Sequence, residues 1–238
     1  MKALSSIWLM KKTALLTAAA ATTWVLTATT PVSADTLYTQ AANFVGGFAS
    51  QTDVNPAFDI TTYDNFSLPT ASNITSVGWV GSYFDPATQG AITAFTITLY
   101  ADNAGKPGAL LASTGDVASN AGETFLRNDN AGSPTYAYNL NTAFLVAGGT
   151  HYWLSIVADL PHPPEWGWEA ATGPDGSSYL CGPGGCGSEI SDVAFTLSGT
   201  AVPEPGSAVL LATALCIGLI VRAATRNRYR PNRHFEGL

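Results

Sequence analysis

Basic residues are scarce in the middle of this 238-residue chain. Between Asp35 and Pro205 there are 16 acidic residues but only two basic ones, Lys106 and Arg127, so this segment has a formal net charge of −14. Proteins bind nucleic acids and anionic lipid head groups through Lys and Arg side chains that neutralise phosphate. The composition therefore excludes DNA or RNA as a partner and predicts an acidic, well-solvated surface.

Histidine is also scarce in this segment, which contains only His151 and His162. A Ser or Cys nucleophile needs a base within hydrogen-bond reach, and the sequence has no Gly-x-Ser-x-Gly pattern. His162 stands among the prolines of Leu160–Pro164, which favours an exposed loop residue. His151 begins a predicted strand and is interpreted as an ordinary, partly buried residue.

Glu165 and Glu169 are the acidic pair that most resembles a glycosidase site, because they flank two tryptophans. Residues four apart on a strand lie about 13 Å from each other, which exceeds the carboxylate separation of either hydrolysis mechanism. The sequence therefore predicts no catalytic residue.

Cysteine is limited to three residues in the chain. Cys181 and Cys186 bracket the flexible segment Gly182–Gly185, and an oxidising compartment favours a disulfide between them. Free thiols and a zinc site completed by the two upstream histidines stay open as alternatives. Cys216 lies inside a C-terminal apolar run and cannot reach the other two.

Helical periodicity is missing from every window of a dozen residues between Asp35 and Thr200. Apolar and polar residues alternate instead, as in Ile92–Tyr100, which is typical of half-buried strands. Thr150–Ala158 is apolar on both sides and predicts a central strand. The predicted strands are Phe58–Leu68, Asn73–Phe84, Ile92–Tyr100, Ala109–Asp116, Thr135–Leu140, Thr150–Ala158, Trp166–Ala170 and Asp192–Ser198. The pattern predicts an all-β, antiparallel β-sandwich or jelly roll over residues 35–200.

Two turns of this segment are rich in the oxygen donors that calcium prefers. Neither Asp102–Gly105 nor Asn128–Gly132 fits the spacing of an EF-hand loop, and we interpret both as ordinary turns. We therefore predict no metal site and no cofactor.

Trp166 and Trp168 share one face of a predicted strand. Ligand sites often combine aromatic side chains with a few polar groups, so these indoles and the nearby Tyr179 form a candidate sugar platform. The alternative, which we favour, is that both indoles face the core, with Glu165 and Glu169 on the solvent side.

The N-terminus has the order of a secretory signal peptide. Met1–Lys12 carries three lysines, Thr13–Leu26 is apolar and uncharged, and small residues precede a predicted cleavage site between Ala34 and Asp35. The signal peptide is predicted over residues 1–34. An uncleaved N-terminal anchor is the alternative.

The C-terminus combines a proline-rich motif, an apolar run and a cluster of arginines. The motif is formed by Val202, Pro203, Glu204, Pro205, Gly206 and Ser207. Ala208–Val221 with flanking residues extends to 19 residues, about 28 Å as a helix against a hydrocarbon core of about 30 Å. This predicts a single transmembrane helix, with a buried helix of a soluble domain as the alternative. The membrane stop formed by Arg222, Arg226 and Arg228 places the following tail in the cytoplasm and the β domain in the periplasm.

That order resembles the PEP-CTERM sorting signal of Gram-negative bacteria that make extracellular polysaccharide. The resemblance implies that exosortase, a membrane-embedded transpeptidase-like enzyme, recognises Pro203–Pro205 and processes the chain near Gly206 and Ser207. It also implies a sorting signal over residues 201–230 and a cytoplasmic tail over 231–238. One departure is that 17 residues run from Arg222 to Leu238, whereas the family's tails usually end soon after the first arginines.

Three stretches of the β segment carry a second resemblance. Tyr63–Pro69, Ile74–Trp79 and Ile97–Gly108 are similar to the jelly-roll-like ectodomains of choice-of-anchor surface proteins. The similarity rests on strand and turn signals, so it implies a fold and no activity.

Together these features predict a non-catalytic surface protein. It would be exported, anchored in transit in the inner membrane, and sorted by exosortase to the cell envelope or extracellular matrix. Its role there would be structural or adhesive, within a biofilm polysaccharide. The alternative is a carbohydrate-binding module or carbohydrate-active enzyme with the same signal. The predicted partners are exosortase, the membrane through the C-terminal helix, and extracellular polysaccharide.

Overall fold

The computed structural model describes residues 34–55, 57, 59–118, 122–202, 213–217, 219 and 222. The chain divides into two compact units, Met1–Val32 and Ser33–Leu238, and all the described residues belong to the second. The signal peptide before Ala34, the motif residues Pro203–Ser207, and Arg226 and Arg228 lie outside the described residues.

Strands account for most of the described residues. They are β1 (Asp35–Ala49), β2 (Gln51–Thr52), β3 (Thr61–Ser67), β4 (Ser72–Phe84), β5 (Ala94–Asp102), β6 (Pro107–Ser113), β7 (Val117–Ala118), β8 (Thr124–Asn128), β9 (Pro134–Val146), β10 (His151–Asp159), β11 (Glu165–Thr172), β12 (Ser178–Gly182), β13 (Gly185–Glu189), β14 (Asp192–Val193) and β15 (Phe195–Ala201).

These strands form two sheets. The first sheet has the order β14-β11-β1-β15-β4-β9-β8, with β11 also pairing with β4. The second has the order β13-β12-β3-β10-β5-β6, with β2 beside β10 and β7 beside β5. The pairings between these strands are antiparallel apart from β2 with β10. The all-β, antiparallel prediction is confirmed.

The two sheets enclose one apolar core. Phe66 of the second sheet packs edge-on against Phe195 of the first at 6.3 Å between ring centroids. Trp79 of the first sheet meets Phe95 of the second in the same way at 4.9 Å. Each fully buried Leu, Ile or Phe of such a core contributes about 1.5–3 kcal/mol.

Each of the eight predicted strands overlaps an observed strand, but β1, β8, the β12–β13 hairpin and the two-residue strands β2 and β7 were not predicted. β1 was not predicted because its register shifts between Thr36 and Tyr38 and again between Ala42 and Gly47. Each shift interrupts the alternation of apolar and polar residues along the strand. All five residues of β8 are exposed, so that strand has no alternation to detect.

The predicted sites at the two ends of the β domain are partly described. Asp35, the residue after the predicted cleavage site, begins β1 and pairs with Gly199. Val202 follows β15, and its backbone N–H donates to the Ala71 carbonyl at 2.7 Å. Val202, the first residue of the predicted sorting motif, therefore follows the last strand directly.

The described part of the C-terminal segment is helical at residues 213–217, 219 and 222. Among the described residues, none forms a helix with the length and apolar character needed to cross a membrane.

Candidate functional site

The two tryptophans of the predicted sugar platform lie in the core. Trp166 and Trp168 are both 0% exposed. The Trp166 indole N–H donates to the Tyr138 hydroxyl at 3.3 Å, and that of Trp168 donates to the Ala194 carbonyl at 2.8 Å. Their proposed part in a surface platform was wrong, and the core alternative is what the structure shows.

The two glutamates beside them have different surroundings. Glu165 is half-buried, whereas Glu169 is 0% exposed although it points away from the core. The irregular part of β1 covers it, and the Gly46 backbone N–H donates to Glu169 Oε1 at 3.2 Å. Burial raises the pKa of the Glu169 carboxyl, and the hydrogen bond from Gly46 offsets this only in part. The expectation that both glutamates face solvent was wrong for Glu169.

Tyr179, the third residue of the predicted platform, lies on the outer side of the second sheet. It packs edge-on against Trp153 at 6.2 Å between ring centroids. Beside this pair, Tyr63 packs edge-on against Tyr100 at 5.3 Å. We call these four residues the aromatic face.

Strand pairing explains how four distant residues form one surface. Tyr179 of β12 is opposite Tyr63 of β3, and Trp153 of β10 is opposite Tyr100 of β5. β10 pairs with β3 along its other edge, where Trp153 is opposite Asn65. Because side chains alternate along a strand, the aromatic face lies on the side opposite to core residues such as Phe66, Leu99 and Leu154.

The four rings are not equally accessible. Trp153 is 4% exposed, whereas the three tyrosines are half-buried and present part of each ring to solvent. Burial, and the neighbouring Tyr100, raise the pKa of Tyr63. Its phenol therefore remains neutral at physiological pH and is available as both donor and acceptor.

A polar cleft of about 310 Å³ lies at one end of the aromatic face. It is lined by Asn65, Asp102, Gly105, His151, Trp153, Asp175 and Ser177. Its volume is at the small end of the range of about 300–1,000 Å³ for small-molecule sites. Aromatic and polar groups thus meet in one concave surface.

Two carboxylates of the cleft are fixed by side-chain hydrogen bonds. The Trp153 indole N–H donates to Asp102 Oδ1 at 2.8 Å, and the Asn65 amide donates to Asp175 Oδ2 at 2.7 Å. The Gly105 backbone N–H also donates to Asp102, at 3.2 Å, which holds the turn after β5. Both acids are therefore positioned by the sheet rather than by a free loop.

Asp175 lies next to a second acid, Asp192. Burial raises the pKa of Asp175, but hydrogen bonds from Asn65, Asp192 and Ser177 outweigh burial and hold that pKa below its ordinary value. Burial and the hydrogen bond to Asp175 raise the pKa of Asp192. The lowered pKa favours the carboxylate form of Asp175, which lines the cleft.

The histidines occupy different regions. His151 is exposed and lines the cleft, so the expectation that it is partly buried was wrong. His162 lies in the loop before β11, where its backbone N–H donates to Asp53 Oδ2 at 2.8 Å.

Cys181 and Cys186 form a disulfide that closes the β12–β13 hairpin, with an S–S distance of 2.07 Å. The segment between them, predicted to be a flexible loop, is a tight turn between paired strands. The disulfide uses both thiols, so the free-thiol and zinc alternatives do not apply. Within the described ranges, no three His, Cys, Asp or Glu side chains form a group that could hold a metal ion.

The two turns considered for calcium are held by their own backbone. Asp102 accepts from the Gly105 N–H, as described above. Asp129 Oδ1 accepts from the N–H groups of Ala131 and Ser133 at 2.9 and 2.8 Å. These contacts support the interpretation of both segments as ordinary turns.

Sequence reasoning missed most of this surface. Tyr179 had been considered for a sugar platform, Asp102 and Gly105 for a calcium turn, and His151 as a catalytic base. The one signal for Trp153 was the two-sided apolar pattern of Thr150–Ala158, which correctly predicted a central strand.

The sequence matches a protein family over residues 38–178, which is more than half of the chain, and that family is described as "Domain of unknown function (DUF7901)". The chain belongs to the DUF7901 family. The matched region contains every residue that lines the cleft, whereas Tyr179 and the disulfide follow it. Comparisons with curated proteins and with solved structures gave no match.

Proposed function

We propose that this DUF7901 protein is an exported, non-catalytic surface protein that adheres to extracellular polysaccharide through the aromatic face. The observation that carries the proposal is the side-by-side packing of Tyr63, Tyr100, Trp153 and Tyr179 next to the polar cleft. In fold, we propose that the two stacked sheets form a β-sandwich of the jelly-roll type.

The chemistry of the face suits a sugar ring. A pyranose has an apolar side of C–H groups and a rim of hydroxyls. Tyrosine offers a rigid ring with a polar tip, and it loses little conformational entropy when it binds a ligand. Asn65 and Asp102 at the cleft supply an amide and a carboxylate oxygen for the hydroxyl rim. The half-burial of the tyrosines limits their motion further.

The state of the carboxylates supports binding rather than hydrolysis. A glycosidase needs one carboxyl with a raised pKa in contact with substrate, as the general acid. The two acids with raised pKa in and near this region, Asp64 and Asp192, are 0% and 1% exposed. Asp175, which faces the cleft, has a lowered pKa and therefore cannot serve as a proton donor at neutral pH.

Export and sorting are part of the same proposal. The signal-peptide pattern, the proline-rich motif from Val202 to Ser207 and the C-terminal arginines support delivery to the envelope by an exosortase. In this proposal Ala208–Val221 forms the core of a transmembrane helix that anchors the chain in transit. In a host carrying the gene, deletion of exosortase should increase the chain's apparent mass by that of the retained tail; an unchanged mass would exclude processing.

The binding proposal is tested by affinity electrophoresis of the purified full-length protein in gels that contain the host's own polysaccharide. We expect retardation of the native protein and its loss on Tyr100→Ala or Tyr179→Ala. Phe125→Ala is the matched control, because Phe125 is an exposed aromatic residue (56%) on β8 of the other sheet. Equal mobility of all variants, with or without polysaccharide, would overturn the proposal. Release of reducing sugar would contradict its non-catalytic part.

A further inference from the structure

The cleft at the end of the aromatic face has carboxylates on both sides. Asp102 ends β5, and Asp175 lies in the loop before β12. Strands β3 and β10 separate β12 from β5 in the sheet, and they supply Asn65, Trp153 and His151 between the two acids. A ligand that enters the cleft therefore meets an acid from either side.

No Lys or Arg is among the residues that line the cleft. Lys106 follows Gly105 in the adjacent turn and is exposed, and His151 is the one histidine in the lining. Beneath the cleft, burial raises the pKa of Asp64 and of Asp192, which favours their neutral forms. Asp102 and Asp175 are the two acids that line the cleft.

An ionised carboxylate only accepts hydrogen bonds, so a complementary ligand must bring donors. A hydroxyl can donate to one carboxylate, but a protonated amine carries three donors and the opposite charge. An anionic group would be repelled by both acids and by the acidic surface of the domain.

We propose that the cleft binds the protonated amino group of an amino-sugar unit, in a polysaccharide whose neighbouring rings pack on the aromatic face. The inference rests on the proposed function and specifies its ligand. Asp102 and Asp175 receive the ammonium hydrogens, Asn65 and Ser177 contact the adjoining hydroxyls, and Tyr100 packs on the sugar ring.

Calorimetric titration of the purified full-length protein with three oligosaccharides of equal length tests this assignment. They are oligomers of glucosamine, N-acetylglucosamine and galacturonic acid, which are cationic, neutral and anionic. Because a hydrogen bond to a charged group is stronger than a neutral one, we expect the glucosamine oligomer to bind about tenfold more tightly than the acetylated one. The galacturonic acid oligomer should not bind.

Variants distinguish binding by the two cleft acids from a general attraction of the ligand to the acidic surface. Asp102→Asn and Asp175→Asn keep an acceptor oxygen for Trp153 and Asn65, so folding should be preserved, and a melting curve checks this. Each should weaken glucosamine binding about tenfold and leave binding of the acetylated oligomer unchanged. Asp35→Asn, an exposed acid at the start of the first sheet, should change neither affinity.

The outcomes distinguish this inference from the proposed function. If the acetylated oligomer binds as tightly as the glucosamine oligomer and Tyr100→Ala weakens both, the aromatic face binds sugar and the amine assignment is wrong. If glucosamine binding is insensitive to Tyr100→Ala and falls equally with Asp35→Asn, the attraction is general and the assignment is also wrong. If no oligosaccharide binds, the amino-sugar assignment fails, and retardation by the host's own polysaccharide still decides the proposed function.

Discussion

Asp102 accepts a hydrogen bond of 2.8 Å from the indole N–H of Trp153. This contact joins the end of β5 to the first part of β10, and it gives a partner to an indole that points away from the core. Tryptophan is tolerated there because its ring is covered by neighbouring aromatics while its polar end reaches a carboxylate. This hydrogen bond therefore fixes the position of Asp102, which lines the cleft, and of Trp153, which belongs to the aromatic face.

Replacement of Trp153 by phenylalanine tests this relationship. Trp153→Phe keeps an aromatic ring but removes the N–H donor and leaves space beside Tyr179. We expect a loss of about 1–2 kcal/mol in the free energy of unfolding, measured by urea denaturation. Asp102→Asn retains the acceptor oxygen and should cost less than Trp153→Phe. A larger loss for Asp102→Asn would mean that charge rather than the hydrogen bond holds the turn.

The buried Glu169 should make stability depend on pH. Its folded-state pKa is raised by burial, so its contribution is fully present below the ordinary carboxyl pKa. That contribution is lost as pH rises through the raised pKa. We therefore expect Glu169→Gln to match the native protein near pH 4 and to exceed its free energy of unfolding by about 1 kcal/mol at pH 8.

The control for this effect is Glu189→Gln, at the end of the edge strand β13. It should leave the pH profile of urea unfolding unchanged. If Glu169→Gln destabilises the protein at pH 8, the carboxylate is ionised and stabilising under the β1 segment, and the pKa of Glu169 is not raised.

The sequence predicted more of the fold than of the candidate surface. Alternation along Ile92–Tyr100 placed Phe95, Ile97 and Leu99 on one face, and all three are buried. For Trp166 and Trp168 the same rule showed that they share a face but could not show which face meets the core. That choice depends on the second sheet, which no local pattern encodes.

The candidate site was beyond local reasoning for a related reason. Tyr63, Tyr100, Trp153 and Tyr179 come from four strands, and only the strand order and register bring them together. Glu169 was misjudged because the segment that covers it belongs to β1, more than 100 residues earlier in the chain.

The Cys181–Cys186 disulfide closes the β12–β13 hairpin, which carries Tyr179 of the aromatic face. Loss of a cross-link that closes so short a loop lowers the free energy of unfolding by about 2 kcal/mol on the loop-entropy model. The double variant Cys181→Ser, Cys186→Ser should show this loss in urea denaturation. It should also bind polysaccharide more weakly, because Tyr179 lies two residues before Cys181. Cys216→Ser, at the exposed third cysteine, should alter neither measurement. Weaker binding in that variant as well would exclude the hairpin as the cause.

Gly81 sets the position of Trp166, and its replacement tests whether this indole belongs to the core. A Cβ at Gly81 would overlap the six-membered ring of Trp166, which is rigid and fully buried. Overpacking of this kind costs about 3 kcal/mol, so Gly81→Ala should lower the urea midpoint strongly and expose Trp166 to solvent, seen as a red shift of tryptophan fluorescence. Gly187→Ala on β13 is the matched control, because a Cβ there meets nothing within 4 Å and should change stability by less than about 0.5 kcal/mol. If the two variants are equally stable, the Trp166 ring can move aside, and its assignment to the core would be wrong.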